Sequence, residues 1–311
     1  MRVDETRRGY VYGLVAYGLW GLFPIYWKLL RPAGAVEILA NRILWSAVCC
    51  ALLLVILRQW RWIAGVLRRP RTVAKLVTAA GLIAVNWGTY IYGVNSGHVV
   101  ETALGYFINP LVSILLGVVI LRERLRRLQW VAIAFGVAAV VVITVDYGRP
   151  PWIALTLAAS FGLYGLTKKT LRLPAARGLF AESAVLALPA AGYLGYLSAT
   201  GTGTFGTVSV GHTMLLVGGG LVTMVPLLSF ASAANRLPLT SIGVLQYLTP
   251  TMQLCCGLIL YGEPMPPAEL AGFVLVWIAL VVFTADLVHR TRRTVAAAPR
   301  EAPRLSTTSD R

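Results

Sequence analysis

Charge is scarce in this sequence, and negative charge is scarcest: of 311 residues 13% are charged, and only 12 are Asp or Glu. A soluble globular chain carries roughly 25% charged residues. With 57% of its residues hydrophobic, no soluble fold could cover the apolar surface. The three histidines, His98, His212 and His289, sit at the ends of apolar runs, and no HxxxH, DxxD or Cys/His metal spacing occurs. The motifs of a membrane metalloenzyme are therefore missing, and neither a metal nor a cofactor is expected. Without a GxxxxGKS-type phosphate loop, ATP hydrolysis by this chain is excluded as well. The four cysteines form two vicinal pairs, Cys49-Cys50 and Cys255-Cys256, inside apolar runs, and read as small core residues.

What the sequence does have is long apolar runs separated by basic ones. The formal net charge of +16 would suggest nucleic acid in a soluble protein. Here Lys and Arg fall in the gaps between apolar runs, where they orient helices against a bilayer, so the expected partner is lipid and not nucleic acid. Crossing a ~30 Å hydrocarbon layer takes about 20 apolar residues in a helix. Ten such spans are expected near 9–29, 36–57, 73–95, 101–121, 129–146, 151–167, 178–199, 213–234, 241–261 and 268–288. The first, although preceded by Arg2, Arg7 and Arg8, is too long for a signal peptide and ends in Tyr26, Trp27 and Lys28. The polar, basic stretch 289–311 reads as a disordered tail.

All Lys and Arg except Lys28, Arg31, Arg149 and the intramembrane Arg42 fall on one side of this topology. The positive-inside rule then puts both termini in the cytoplasm of a cell with the protein in its inner membrane. The long 200–211 loop, TGTGTFGTVSVG, lies outside and carries no Lys or Arg.

An offset of 140 residues aligns Lys28 with Lys168, Asn95 with Asn235, Pro110 with Pro250, Gly117 with Gly257 and Glu123 with Glu263. The expected fold is thus all-α: a polytopic bundle of ten transmembrane helices in two inverted five-helix repeats, 1–147 and 148–288, with the tail at 289–311. Five spans per repeat invert the second copy, an arrangement that lets two halves rock about a central site. Glu123, Glu263, Asn95 and Asn235 are assigned helix-end roles. Pro110 and Pro250, near the middle of their spans, are expected to kink helices that line the site.

Candidate substrate-binding residues follow from polar and aromatic faces. Thr102, Tyr106, Asn109 and Ser113 share one helical face, and the repeat-related Ile242, Gln246, Thr249 and Gln253 share another. Tyr17 and Trp20 in the first span, Asn86 with Trp87 in the third, and Ser160 and Tyr164 in the sixth complete the set. Arg42 and Glu182, also 140 apart, are the intramembrane charges, each costing at least ~2.5 kcal/mol unpaired. Arg42 falls ~9 Å from the outer face and Glu182 ~6 Å from the inner, so snorkelling competes with function for both. Glu182 is the candidate proton carrier. Glu37, His98 and Glu101 gather at the outer ends, where interfacial solvation is expected.

The runs WGLFPIYWKLL (20–30), EILANRILWS (37–46), GYFINPLVSILLG (105–117), ERLRRLQW (123–130), QYLTPT (246–251) and YGEP (261–264) resemble the RarD branch of the EamA family, in the drug/metabolite transporter superfamily. The likeness covers the chain up to its basic tail. It implies ten helices in two inverted repeats, cytoplasmic termini, and ATP-independent export or exchange of a small organic molecule. The branch is commonly labelled with chloramphenicol resistance or sensitivity. The resemblance supplies no site residues. A proton-coupled secondary carrier is the reading adopted. A passive channel, a membrane enzyme without a recognisable motif, and a sensor with a partner-binding tail stay open as rivals.

Overall fold

The computed structural model describes residues 2–297 apart from positions 59, 61, 123–126 and 172. Among the described residues every regular element is helical: α1 (Arg2–Gly21), α2 (Phe23–Leu29), α3 (Ala35–Ile56), α4 (Trp62–Leu67), α5 (Pro70–Asn95), α6 (Val99–Leu121) and α7 (Arg127–Tyr147). There follow α8 (Trp152–Leu171), α9 (Ala175–Thr200), α10 (Val210–Ala234), α11 (Leu239–Leu245), α12 (Leu248–Cys255), a π-helical turn (Cys256–Leu260) and α13 (Pro267–Ala297).

Among the described residues seven segments are long and apolar enough to cross a membrane: α3, α6, α7, α9, α10, the run Ser241–Leu260 and the Pro267–Ala285 part of α13. The chain is a multi-pass helical membrane protein. Leu52, Val145, Leu188, Ile259 and Val281 are exposed on the outside of the bundle, where lipid and not water must meet them. Of the helices outside the seven, α2 is only 7 residues long, α1 carries Asp4, Glu5, Arg7 and Arg8 in its first turns, and α5 and α8 have Tyr, Trp, Gly and polar residues in place of aliphatic ones. Those same helices carry much of the candidate site.

Two expected spans are not continuous helices. Pro24 has no N–H to give the Trp20 carbonyl, and the helix breaks between α1 and α2. In hydrocarbon the freed carbonyl needs a partner from the protein, and Gln253 Nε2 supplies it at 3.1 Å. Thr249 Oγ1 donates to the Tyr17 carbonyl at 2.8 Å, so α12 is fastened along the end of α1. The ninth expected span divides into α11, α12 and the π turn. Pro250 thereby falls in the first turn of α12, where its missing N–H costs no helical bond. Pro110, by contrast, sits inside an unbroken α6. α13 runs on to Ala297, past the expected end at 288. Glu123 and residues 298–311 lie outside the described residues.

Packing joins distant parts of the chain. α7 lies against α13, α3 against α9 and α6 against α12; α8 packs on α5 and α6, while α1 packs on α10 and α12. Close approach is made possible by glycine. A Cβ on Gly220 of α10 would stand 2.5 Å from the Trp45 backbone of α3, and one on Gly105 of α6 would stand 2.9 Å from the Ala154 carbonyl of α8. Gly220→Val should therefore lower the stability of the purified protein by ~2 kcal/mol or more. Gly192→Ala, at a position with nothing within 4 Å, should leave it nearly unchanged. Thermal denaturation in detergent distinguishes the two.

Candidate functional site

The candidate residues and their partners fall into four groups. In the first, Asn86 of α5 is buried and donates through Nδ2 to the Leu157 carbonyl and to Ser160 Oγ of α8, both at 3.0 Å. Its Oδ1 meets the Tyr106 hydroxyl of α6 only loosely, at 3.5 Å. Asn86, Tyr106 and Ser160 are therefore brought together, as three neighbouring helices require if a polar group is to sit between them.

In the second, Tyr17 and Trp20 of α1 pack edge-on at 5.6 Å and both meet Phe230 of α10. Thr249 belongs here, but its hydroxyl is taken up by the α1 backbone. Of the α6 face, Thr102 returns its hydroxyl to the Val99 carbonyl of its own helix and Ser113 is exposed. Asn109 keeps a buried Oδ1 without a partner, and Gln253 an unpartnered Oε1. Gln246 is half-buried at the α11–α12 break.

The third group surrounds Glu182 of α9, which is 2% exposed. Lys168 Nζ of α8 pairs with its Oε1 at 2.7 Å, and the Tyr164 hydroxyl donates to its Oε2 at 3.0 Å. Gly178, one turn earlier, leaves the space: a Cβ there would lie 2.4 Å from Lys168 Nζ. Glu182 is thus an ion-paired carboxylate, and its cation went unrecognised in the sequence. The hairpin between α8 and α9 was the available signal, since it folds position 168 back toward 182.

The fourth group surrounds Arg42 of α3, which is 3% exposed. Its Nε donates to Thr223 Oγ1 of α10 at 2.9 Å, and the guanidinium lies 3.9 Å from the Trp87 ring centroid, 4.9 Å from Trp27 and 5.5 Å from Phe23. Arg42 and Glu182 are not paired with each other. A row of ring contacts, Tyr90–Tyr106–Phe161–Tyr164, runs from the cluster holding Trp27 to the Glu182 hydroxyl partner. Thr223 and Trp27 were not singled out from sequence. A lone threonine in an apolar run carries no signal of its partner.

Glu37 and Glu101, expected to be solvated, are buried instead. Glu37 accepts from the Thr204 N–H and hydroxyl at 2.7 and 2.9 Å, and Thr204 also meets His212 Nε2 at 3.0 Å. Glu101 takes the Ile153 N–H at the start of α8, and the half-buried Glu263, given a helix-end role from the sequence, takes the Val100 N–H at the start of α6. Such carboxylates satisfy helix N-termini that water does not reach. Elsewhere a basic cleft of about 400 Å³ opens beside Trp62, Arg69, Arg71 and Lys75, and holds none of the candidate residues.

Breaking the Lys168–Glu182 pair by one substitution, Lys168→Met or Glu182→Leu, should cost ~3 kcal/mol because a charge is left unpaired. The double substitution should recover most of the loss. Thermal unfolding of the three variants in detergent measures the difference.

Comparison with known proteins agrees with this architecture. The model of the EamA-like transporter family matches residues 7–145. Protein RarD of Streptomyces exfoliatus is 51% identical over 99% of this chain and 98% of its own. An uncharacterized transporter of Bacillus subtilis, YojE, is 45% identical over 94% of this chain and 98% of its own, and RarD of Escherichia coli is 39% identical over 94% and 99%. A solved crystal structure, 19% identical, covers 94% of this chain and 99% of its own with a TM-score of 0.54, a likeness of fold. Near-full-length identity of this order, on an all-helical membrane bundle, means that the chain belongs to the EamA-like transporter family, in its RarD branch.

Proposed function

We propose that the protein is a secondary transporter of a small organic metabolite or drug, working by alternating access in the inner membrane with both termini cytoplasmic. In this reading α1–α2, α5 and α8 also span the bilayer, which makes ten passes, and the two halves are inverted copies. The observation that carries it is the helix packing. Exchanging the halves at an offset of 140 turns α5–α8 into α10–α1, α6–α8 into α12–α1 and α10–α3 into α5–α9, while α7–α13, α3–α9 and α6–α12 map onto themselves. Two interlocked copies related in this way can tilt against one another about the residues between them.

Those residues, Tyr17, Trp20, Asn86, Tyr106, Asn109, Ser160, Tyr164, Gln246 and Thr249, would line the path. Rings supply apolar walls and a few amides and hydroxyls fix orientation, a lining suited to a small organic cargo. Glu182 is the proposed proton carrier, with efflux or exchange driven by the proton gradient. Its carboxylate holds α9 to α8 through Lys168 and Tyr164. Protonation would remove the charge that Lys168 pairs with and loosen that hairpin, coupling a proton to a movement of helices.

Two measurements test the reading. In a variant with Cys49, Cys50, Cys255 and Cys256 replaced, a membrane-impermeant maleimide should label Thr204→Cys on intact cells and Arg124→Cys only after permeabilisation. The reverse pattern would sink the topology. In proteoliposomes loaded with a solute found by comparing the medium of deletion and overexpressing strains, wild type should move protons with the solute, and Glu182→Gln should abolish the proton current. Undiminished proton movement in that variant would eliminate Glu182 as the carrier.

A further inference from the structure

Arg42 is a cation whose charge the protein does not balance. Glu182 is paired with Lys168, and Glu37, a little more than a turn before Arg42, accepts two hydrogen bonds from Thr204. Among the described residues no carboxylate lies within ion-pair distance of Arg42, and its one hydrogen bond is Nε to Thr223. The Thr223 hydroxyl proton is itself spent on the Gly219 carbonyl, so it is a neutral acceptor with nothing further to give. A guanidinium has five N–H donors, and here the terminal nitrogens meet no acceptor among the described residues. The rings of Trp87, Trp27 and Phe23 hold the group by cation–π contact, which fixes its position and satisfies none of those donors.

The surroundings add neutral polar groups and no anion. Trp27 Nε1 and the Tyr90 hydroxyl are both buried without a partner, and both residues belong to one packed cluster with Phe23. A niche that combines a free guanidinium fork, two unused donors and aromatic walls is matched by an anion attached to a flat apolar body. A single positive charge balances a single negative one, which favours a carboxylate over a doubly charged phosphate, and the fork geometry suits two carboxylate oxygens.

We infer that Arg42 is the anchor for a monoanionic, flat organic carboxylate, whose charge completes the ion pair that the folded chain leaves open. This deepens the proposed function by naming the class of cargo, and rests on that reading only for calling the ligand cargo.

The test uses the full chain, purified in detergent, with matched probes: benzoate against benzamide, and 1-naphthoate against 1-naphthamide. The carboxylates should raise the melting temperature and quench tryptophan fluorescence in a saturable way, while the amides should do neither. Arg42→Gln should weaken carboxylate binding by roughly ten- to a hundredfold. Arg42→Lys should fall between, keeping the charge and losing the fork. Without ligand, Arg42→Gln should melt no lower than wild type, because it removes an uncompensated buried charge. The inference is overturned if carboxylates and amides act alike, if no carboxylate responds, if Arg42→Gln binds as wild type does, or if that variant unfolds. The comparison of acid with amide on wild type needs no variant. Flux of the bound carboxylate in proteoliposomes separates the two levels. Binding without flux would sink the transport reading and leave the anion site standing, and flux of uncharged solutes without preference for acids would do the opposite.

Discussion

Inside a bilayer, a polar group that its own helix does not satisfy can be satisfied only by another part of the protein. Much of this fold can be followed from that constraint. The carbonyl freed by Pro24 obliges α12 to bring Gln253 to it, and the break between α1 and α2 is consequently a junction between the beginning and the end of the chain. Asn86 draws α5, α6 and α8 together in the same manner. Glu101 and Glu263 close the exposed N-termini of helices distant in sequence.

Charges obey the same constraint more severely, and Glu182 and Arg42 answer it differently. At position 182 the carboxylate has Lys168, with Gly178 making room for the ammonium. At position 42, 140 residues earlier, the residue is Arg. The lysine equivalent to Lys168, Lys28, lies instead 3.3 Å from the Tyr261 ring centroid. Like charges in the first half keep Lys28 and Arg42 from forming a pair, and aromatic rings gather where a carboxylate would otherwise be. In the proposed two-repeat arrangement these positions correspond, and the difference in charge between them is what the proposed anion site rests on.

Membrane character was legible in the sequence because hydrocarbon imposes a length and an apolarity that no other environment demands. The EamA resemblance rested on runs such as GYFINPLVSILLG, and near-full-length relatives agree with it. The candidate site was legible in part. Asn86, Tyr106 and Ser160 stood out as polar residues in apolar runs and are joined by hydrogen bonds. Thr249 stood out for the same reason, yet its hydroxyl serves the backbone of α1. Periodicity identifies a polar residue that must be satisfied but not the group that satisfies it. Glu37 and Glu101 were placed at helix ends correctly and supposed to be wet, whereas loop and helix backbones close over them.

By itself the sequence determined that the chain lives in a membrane, that its elements are helices and which residues are costly to bury, since each of these depends on composition and spacing along one strand of chain. Only the tertiary structure decided which costs are met: Lys168 beside Glu182, Gln253 beneath the Trp20 carbonyl, and Thr223 with three rings but no carboxylate beside Arg42. The reason is that a partner is a matter of distance in space, and helices far apart in sequence supply it.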